Sequence, residues 1–196
     1  MQKKILMTIV ASVLFVSTNV FAEAENWLVR VRAVHVGPQN SSSPLTGVEV
    51  SSKTIPEVDI SYFFSNNISA ELVLTYPQQH DVSLNGAKIG TVKELPPTLL
   101  AQYHFSPGSA FDPYVGAGLN YTLFSSVNIP GLDVSKSSLG GALQVGFDVP
   151  LKNNMSFNVD LKKVYMKTDV STSAGAYVTS LKIDPILFSV GLGWKF

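Results

Sequence analysis

The stretch LGGALQVGFDV, residues 139–149, decides the fold. Read with a period of two, it sorts into two sets. Leu139, Gly141, Leu143, Val145, Phe147 and Val149 share one side; Gly140, Ala142, Gln144, Gly146 and Asp148 share the other. Successive side chains of an extended chain point to opposite faces, so this is a strand with one apolar face and one small or polar face. A helix of the same length would scatter both sets around its axis.

The same alternation recurs along the chain. In 26–36, Trp27, Val29, Val31 and Ala33 oppose Leu28, Arg30 and Arg32; in 56–64, Val58, Ile60, Tyr62 and Phe64 oppose Glu57, Asp59, Ser61 and Phe63. Segments 67–77, 96–105, 112–124, 155–167 and 181–196 repeat it, which with 139–149 makes eight strands. The connections alternate in length. Residues 37–54, 78–95, 125–137 and 168–180 are long and polar, whereas Ser65-Asn66, 106–110 and 150–154 are short. Bacterial membrane barrels have short periplasmic turns and longer extracellular loops, so both termini are expected on the periplasmic side. Aromatic residues collect at two levels. Trp27, Phe64, Phe105, Phe111, Phe157, Trp194 and Phe196 lie near the short turns; Tyr76, Tyr121, Phe124 and Tyr165 lie near the long connections. Amphipathic rings settle at headgroup depth, so two such girdles bracket a membrane. The expected fold is all-β: an eight-stranded antiparallel transmembrane β-barrel with short periplasmic turns and long extracellular loops. Closure satisfies every backbone donor and acceptor in lipid, which an open sheet cannot do.

The N-terminus fits an exported protein. Met1-Gln2-Lys3-Lys4 precedes an apolar run over 5–16, then Ser17-Thr18-Asn19 and Val20-Phe21-Ala22. That is the layout of a cleavable signal peptide, cut after Ala22, with the barrel spanning 23–196. The run is short for a membrane anchor and no basic stop-transfer cluster follows it. Of the 196 residues, 14 are Lys or Arg and 14 Asp or Glu; losing Lys3 and Lys4 leaves 12 against 14, a mature net charge of −2. Such a chain has no basic face for nucleic acid. It contains no cysteine, so no disulfide framework holds it in an oxidising compartment.

Chemistry-bearing motifs are sparse. His35, His80 and His104 lack metal-ligand spacing, and neither a phosphate loop nor a dinucleotide fingerprint is present. A rim enzyme would need a serine, with 41–43 and 171–173 as candidates, beside His35 or His80, but no nucleophile-elbow pattern occurs. The expectation is a non-enzyme without cofactor or metal. The inward face instead offers two sets. Arg30, Arg32, Glu57, Asp59, Glu71, Gln102, His104, Asp148, Asp160 and Lys162 form a charged set that must pair or meet water in a narrow lumen. Leu28, Phe63, Leu100, Tyr114, Phe124, Val164 and Met166, with Val34 and Val73, form an apolar set. The first seven are candidates for an apolar lumen path, because apolar guests favour apolar walls. Val82, Leu84, Ile89 and Val92 flank an Asn85-Gly86 turn and are candidates for an apolar entrance.

Several ordered stretches resemble the OmpW family of small outer-membrane barrels, which includes hydrocarbon-uptake members. They are His80-Asp81-Val82-Ser83-Leu84-Asn85-Gly86 running on to Leu95-Pro96-Pro97-Thr98-Leu99; Asp112-Pro113-Tyr114-Val115-Gly116-Ala117-Gly118-Leu119-Asn120-Tyr121-Thr122; Asp160-Leu161-Lys162-Lys163-Val164-Tyr165; Asp184-Pro185; and Val190-Gly191-Leu192-Gly193-Trp194-Lys195-Phe196. The resemblance covers essentially the whole mature chain. It implies a barrel in the outer membrane of a Gram-negative bacterium, among outer-membrane lipids and lipopolysaccharide. It also implies a narrow, largely apolar path for small hydrophobic solutes that opens sideways into the membrane. Val190, Leu192, Trp194 and the terminal Phe196 resemble the signal read by the barrel-assembly machinery. Two other functions stay open on the sequence: a structural or receptor-type barrel whose loops carry the function, and a narrow ion-conducting channel. Oligomeric state is open as well.

Overall fold

The computed structural model describes residues 26–196, so the leader expected over 1–22 lies outside the described residues. Every described element is a strand or turn. The ring of the barrel consists of β1 (Trp27–Gly37), β4 (Lys53–Phe63), β5 (Ile68–Leu74), β8 (Thr98–His104), β9 (Asp112–Asn128), β11 (Ser137–Pro150), β12 (Met155–Val164) and β15 (Ile186–Lys195). Each pairs antiparallel with the next in that order. The ring closes where β15 pairs with β1, from Leu28 opposite Lys195 to Gly37 opposite Ile186. The eight-stranded antiparallel barrel is therefore complete, with no free edge at this level.

Beyond the ring the chain keeps strand geometry. The long connections expected to be loops are built from β2 (Ser41–Ser43), β3 (Val48–Val50), β6 (Gln78–Leu84), β7 (Ala87–Leu95), β10 (Leu132–Val134), β13 (Lys167–Thr172), β14 (Tyr177–Lys182) and the far end of β9. One upper sheet runs β3-β6-β7-β9 and a second runs β10-β13-β14-β2. These elements stand on the barrel rim as continuations of the ring strands. The β6–β7 hairpin turns at Asn85 and Gly86, whose φ values of 50° and 81° suit the tight turn that a right-twisted hairpin needs. Three of the breaks between ring and upper strands, at 75–77, 96–97 and 183–185, hold proline. Proline lacks the N–H a ladder requires, so pairing lapses there.

Burial is inverted relative to a water-soluble protein. Arg30 is 0% exposed while Leu139 is 69% and Leu119 62% exposed. An outward belt of Leu, Val and Ile on every ring strand is stable only against lipid. At the short-turn end, rings pack in series: Trp27 on Tyr62 at 4.8 Å, Tyr62 on Phe64 at 5.1 Å, and Phe111 on Phe147 at 4.9 Å between centroids. At the opposite level Tyr76, Tyr121 and Tyr165 face outward. Phe124, expected in that girdle, does not belong to it. It shares the inward face of Asn120 and Thr122 and is buried. Inward glycine gives the lumen room for large side chains: a Cβ on Gly146 would sit 2.5 Å from Cζ and Oη of Tyr114.

Candidate functional site: a two-tier lumen

Alternation places the inward residues of neighbouring ring strands at matching heights, and the middle of the lumen receives nearly all the charge. Arg30 holds Asp148 through Nη2 at 2.6 Å and reaches Glu71 at 3.1 Å and Asp59 at 3.3 Å through Nη1. Arg32 holds Asp59 and Glu71, each at 2.8 Å, and Asp160 at 3.3 Å. Lys162 closes the layer on Asp160 at 3.0 Å and Glu57 at 3.1 Å. Neutral donors fill the remaining positions. Gln144 Nε2 donates to Glu71 and Asp160, Gln102 Nε2 to Glu71, and the Tyr114 hydroxyl to Asp160 at 2.9 Å. Asn158 donates to Asp148 at 3.0 Å. Arg30, Arg32, Asp59, Glu71, Asp160 and Lys162 are all sealed from solvent. The layer therefore fills the lumen and closes it.

Below this layer, toward the short turns, His104 Nδ1 lies 2.9 Å from Asp112 Oδ2 and its Nε2 lies 3.4 Å from Ser69 Oγ. The order of these groups matches a hydrolytic triad, but the setting does not serve one. Ser69 Oγ donates to Gln102 Oε1 at 2.9 Å, and Ser69 and His104 are both buried. The rings of Phe63 and Tyr114 flank the imidazole at 4.9 and 5.1 Å. A nucleophile needs its proton directed to the base and room for a substrate. Among the described residues no group of three His, Asp or Glu is arranged to hold a metal ion.

Above the layer the lumen changes character. The upper strands and the ring's last turns enclose an apolar chamber of about 70 Å³. Its walls include Val48, Val50, Val82, Leu84, Ile89, Val92, Phe124, Ile129, Val134, Val170, Leu181 and Ile183. Leu100, Val73, Val164 and Met166 continue the same cluster downward to the charged layer. A smaller cavity of about 30 Å³ lies between the two tiers, with Val36, Ile55, Met166 and Leu187 on its walls and Glu57, Lys162, Gln78 and Glu94 bringing polar groups to it. It adjoins a seam in the wall. From Ser51, which donates its N–H to the Asp81 carbonyl, to Val58 opposite Leu74, no described ladder pairing joins β4 to β5 or β6. Side chains bridge the interval: Lys53 Nζ donates to the Gln79 carbonyl at 3.2 Å, and Thr75 Oγ1 to the Pro56 carbonyl at 3.2 Å.

The sequence-derived apolar path divides between the two tiers. Leu100, Phe124, Val164 and Met166 gather in the upper cluster. Leu28, Phe63 and Tyr114 do not join them; Leu28 and Phe63 lie toward the short-turn end, where Phe63 packs on His104 and beneath Lys195 Nζ at 5.2 Å. Tyr114 belongs to the charge network through Asp160 and lies under the Arg30 guanidinium at 5.4 Å. The seven residues thus fall into two groups at different heights in the lumen. The entrance candidates Val82, Leu84, Ile89 and Val92 all line the chamber. Val48, Val50, Ile129, Leu132, Val134, Val170, Leu181 and Ile183 were missed. Their signal was the short alternations Val48/Val50, Leu132/Val134 and Leu181/Ile183, set within Ser-, Thr- and Gly-rich sequence. His80 is buried in β6, its Nδ1 2.8 Å from the Ser51 carbonyl and its Nε2 3.4 Å from Glu94 Oε1. Burial opposes its charged form. The contact and charge of Glu94, with the Ser51 carbonyl, outweigh that and raise the imidazole above its ordinary value. His35 faces outward beside Thr54, away from His80. Val190 and Leu192 face outward on β15 and Phe196 is exposed just after it, and the Phe196 and Trp27 backbones bond reciprocally at the closure seam.

A closed barrel with a lipid-facing belt, a sealed ionic layer and an aliphatic chamber defines a small integral outer-membrane protein. The OmpW family model matches residues 23–196, and the chain belongs to that family, in the outer membrane of a Gram-negative bacterium. It is 40% identical over 183 residues to an uncharacterized outer-membrane protein, y4mB, of Sinorhizobium fredii, covering 87% of this chain and 80% of that one. Outer membrane protein W of Vibrio cholerae is 35% identical over 202 residues, 92% of this chain and 93% of its own. A dibenzothiophene metabolism operon protein, PahQ, of Pseudomonas aeruginosa is 25% identical over 193 residues, 90% and 91% of the two chains. Among solved structures, the Pseudomonas aeruginosa outer membrane protein OprG superposes with a TM-score of 0.76 at 31% identity, covering 87% of this chain and 95% of that one. The outer membrane protein AlkL in lipid bilayers gives 0.67 at 26% identity, covering 87% and 90%. This family and fold are those of outer-membrane barrels, not of enzymes.

Proposed function

We propose that the protein is a passive conduit for small hydrophobic molecules. The observation that carries this reading is the aliphatic chamber standing directly on a sealed ionic layer. An apolar guest gains about 25 cal/mol for each Å² removed from water, so entry into the chamber needs neither energy input nor cofactor. Its way down is closed: passage would require unpairing buried charges, at several kcal/mol each. The guest therefore leaves sideways, through the side-chain-bridged seam between β4 and residues 75–80, into the surrounding lipid. The long-connection end is taken as extracellular, following the general asymmetry of such barrels. A relative named for a dibenzothiophene metabolism operon supports an apolar guest.

The test is uptake of n-octane by Gram-negative cells that take it up poorly, with and without the protein. Expression is matched and folding verified by heat-modifiable gel mobility. Faster uptake with the wild type, abolished by Phe124→Asp or Val82→Asp in a folded barrel, is expected. Equal uptake with and without the protein would remove the conduit and leave the barrel untouched.

A further inference from the structure

We infer that the small cavity between the two tiers is a subsite for the hydroxyl head of an aliphatic alcohol. This rests on the conduit reading and names a preferred substrate class for it. The cavity, about 30 Å³, is large enough for a head of one or two heavy atoms, and apolar side chains such as Val36, Ile55 and Val164 share its walls with polar ones. Among its polar groups Gln78 stands out. Gln78 is 1% exposed, and its Nε2 donates to the Tyr76 carbonyl at 2.6 Å and to Thr75 Oγ1 at 3.1 Å. Those two acceptors fix the orientation of the amide, because the oxygen could not replace the nitrogen against a carbonyl. Gln78 Oε1 is left with no hydrogen-bond partner. Most neighbouring donors are already engaged. Lys162 Nζ is on Glu57 and Asp160, Asn120 Nδ2 is on Thr98 Oγ1 and the Pro96 carbonyl, and Thr98 Oγ1 donates to the Pro96 carbonyl.

The cavity thus presents an unsatisfied acceptor, and among these neighbouring donors one N–H of Lys162 is left beyond its bonds to Glu57 and Asp160. A guest suited to it carries a hydrogen-bond donor on an apolar chain. A carboxylate has only acceptors and would face Gln78 Oε1 and the Glu57 carboxylate. An ammonium would be buried beside Lys162, whose own charge already occupies Glu57 and Asp160. A neutral hydroxyl satisfies Gln78 Oε1 without adding charge, while its chain lies along Val164 and Met166 toward the aliphatic cluster above.

The experiment uses the folded protein in lipid nanodiscs, titrated with 1-octanol, with its isomer heptyl methyl ether, which accepts but cannot donate, and with n-octane. Protein-free discs correct for partition into lipid. Affinities come from chemical-shift titration, with the Gln78 side-chain amide as a local reporter. The expected result is octanol binding about tenfold tighter than the ether, the worth of one neutral hydrogen bond, and shifting the Gln78 amide signal. Gln78→Met is expected to bring that ratio close to one. A ratio near one in the wild type means that the cavity holds only water and overturns the inference, as does a ratio that survives Gln78→Met. If the variant fails to fold, the wild-type ratio alone decides. The octane arm is independent: if octane neither binds nor crosses, the conduit falls, whereas octane binding with an octanol-to-ether ratio of one sinks the alcohol subsite alone.

Discussion

The two tiers of the lumen stand one on the other, the lower on the ring strands and the upper mainly on the short strands that continue them, yet they have opposite interiors. In the lower tier, Arg30 and Arg32 each engage several carboxylates, and the layer is sealed. In the upper tier, Val48, Val82, Val92, Phe124 and Ile129 surround a space they do not fill. Long flexible charged side chains reach across a narrow barrel and lock on opposite walls, because each unpaired charge would be costly. Short β-branched side chains cannot reach across, so their tier keeps a void. The difference teaches that lumen polarity here sets both stability and space: the ionic tier holds the barrel together, and the aliphatic tier is free to receive a guest.

The sharpest way to break this comparison is to remove one member of the ionic layer. Arg30→Met leaves Asp148 and Glu71 with a missing partner and should cost about 3–5 kcal/mol in urea unfolding from lipid vesicles. A loss below about 1 kcal/mol would show that the layer does not carry the fold. Next comes a matched pair of small enlargements. Gly146→Ala places a methyl 2.5 Å from the Tyr114 ring and should cost about 1–3 kcal/mol. Val82→Leu adds a methylene beside an existing void and should cost less than about 1 kcal/mol, measured in the same way. Equal costs would erase the distinction between a packed and an open tier.

A positive φ of 81° at Gly86, with open space where a Cβ would stand, isolates backbone strain at the hairpin tip. Gly86→Ala should cost about 1 kcal/mol and should leave the lower tier's unfolding unaffected. The smallest effect concerns pH. His80 has a folded-state affinity for protons above its ordinary value, so its contribution is present in full below the ordinary imidazole range. It is lost as pH rises through the raised folded value. Hydrogen exchange of β6 and β7 amides should therefore show weaker protection at alkaline than at mildly acidic pH, after correction for intrinsic rates. His80→Gln should flatten that dependence. Lys53 opposes protonation and Glu94 favours it, so Glu94→Gln should flatten it too.

Much of this organisation was legible in the sequence, and the unread part has a physical cause. Period-two alternation tells which face a side chain takes, and every ring strand obeys it, from Arg30 and Arg32 inward to Leu139 and Leu143 outward. It carries no information about height across strands, because height depends on how neighbouring strands are staggered around the barrel. That is why Leu28, Phe63 and Tyr114 were grouped with Phe124 and Val164, although Leu28 and Phe63 lie beyond the ionic layer and Tyr114 belongs to it. The upper sheets were unread for another reason. Strands of three residues such as Ser41–Ser43 and Leu132–Val134 offer too few alternations to stand out from polar connections. Phe124 was read both as an inward lumen residue and as a girdle aromatic; its parity with Asn120 and Thr122 supports the first, and its burial bears that out.

The most direct test of the two-tier lumen is photolabelling of the folded protein in lipid bilayers with a medium-chain alkyl diazirine, mapped residue by residue. Outward residues will be labelled from the lipid in any case, so the inward ones decide. The account predicts inward labels at Val82, Val92, Phe124 and Met166, and protection at Leu28, Phe63 and Tyr114. Inward labels below the ionic layer, or none in the aliphatic chamber, would contradict it.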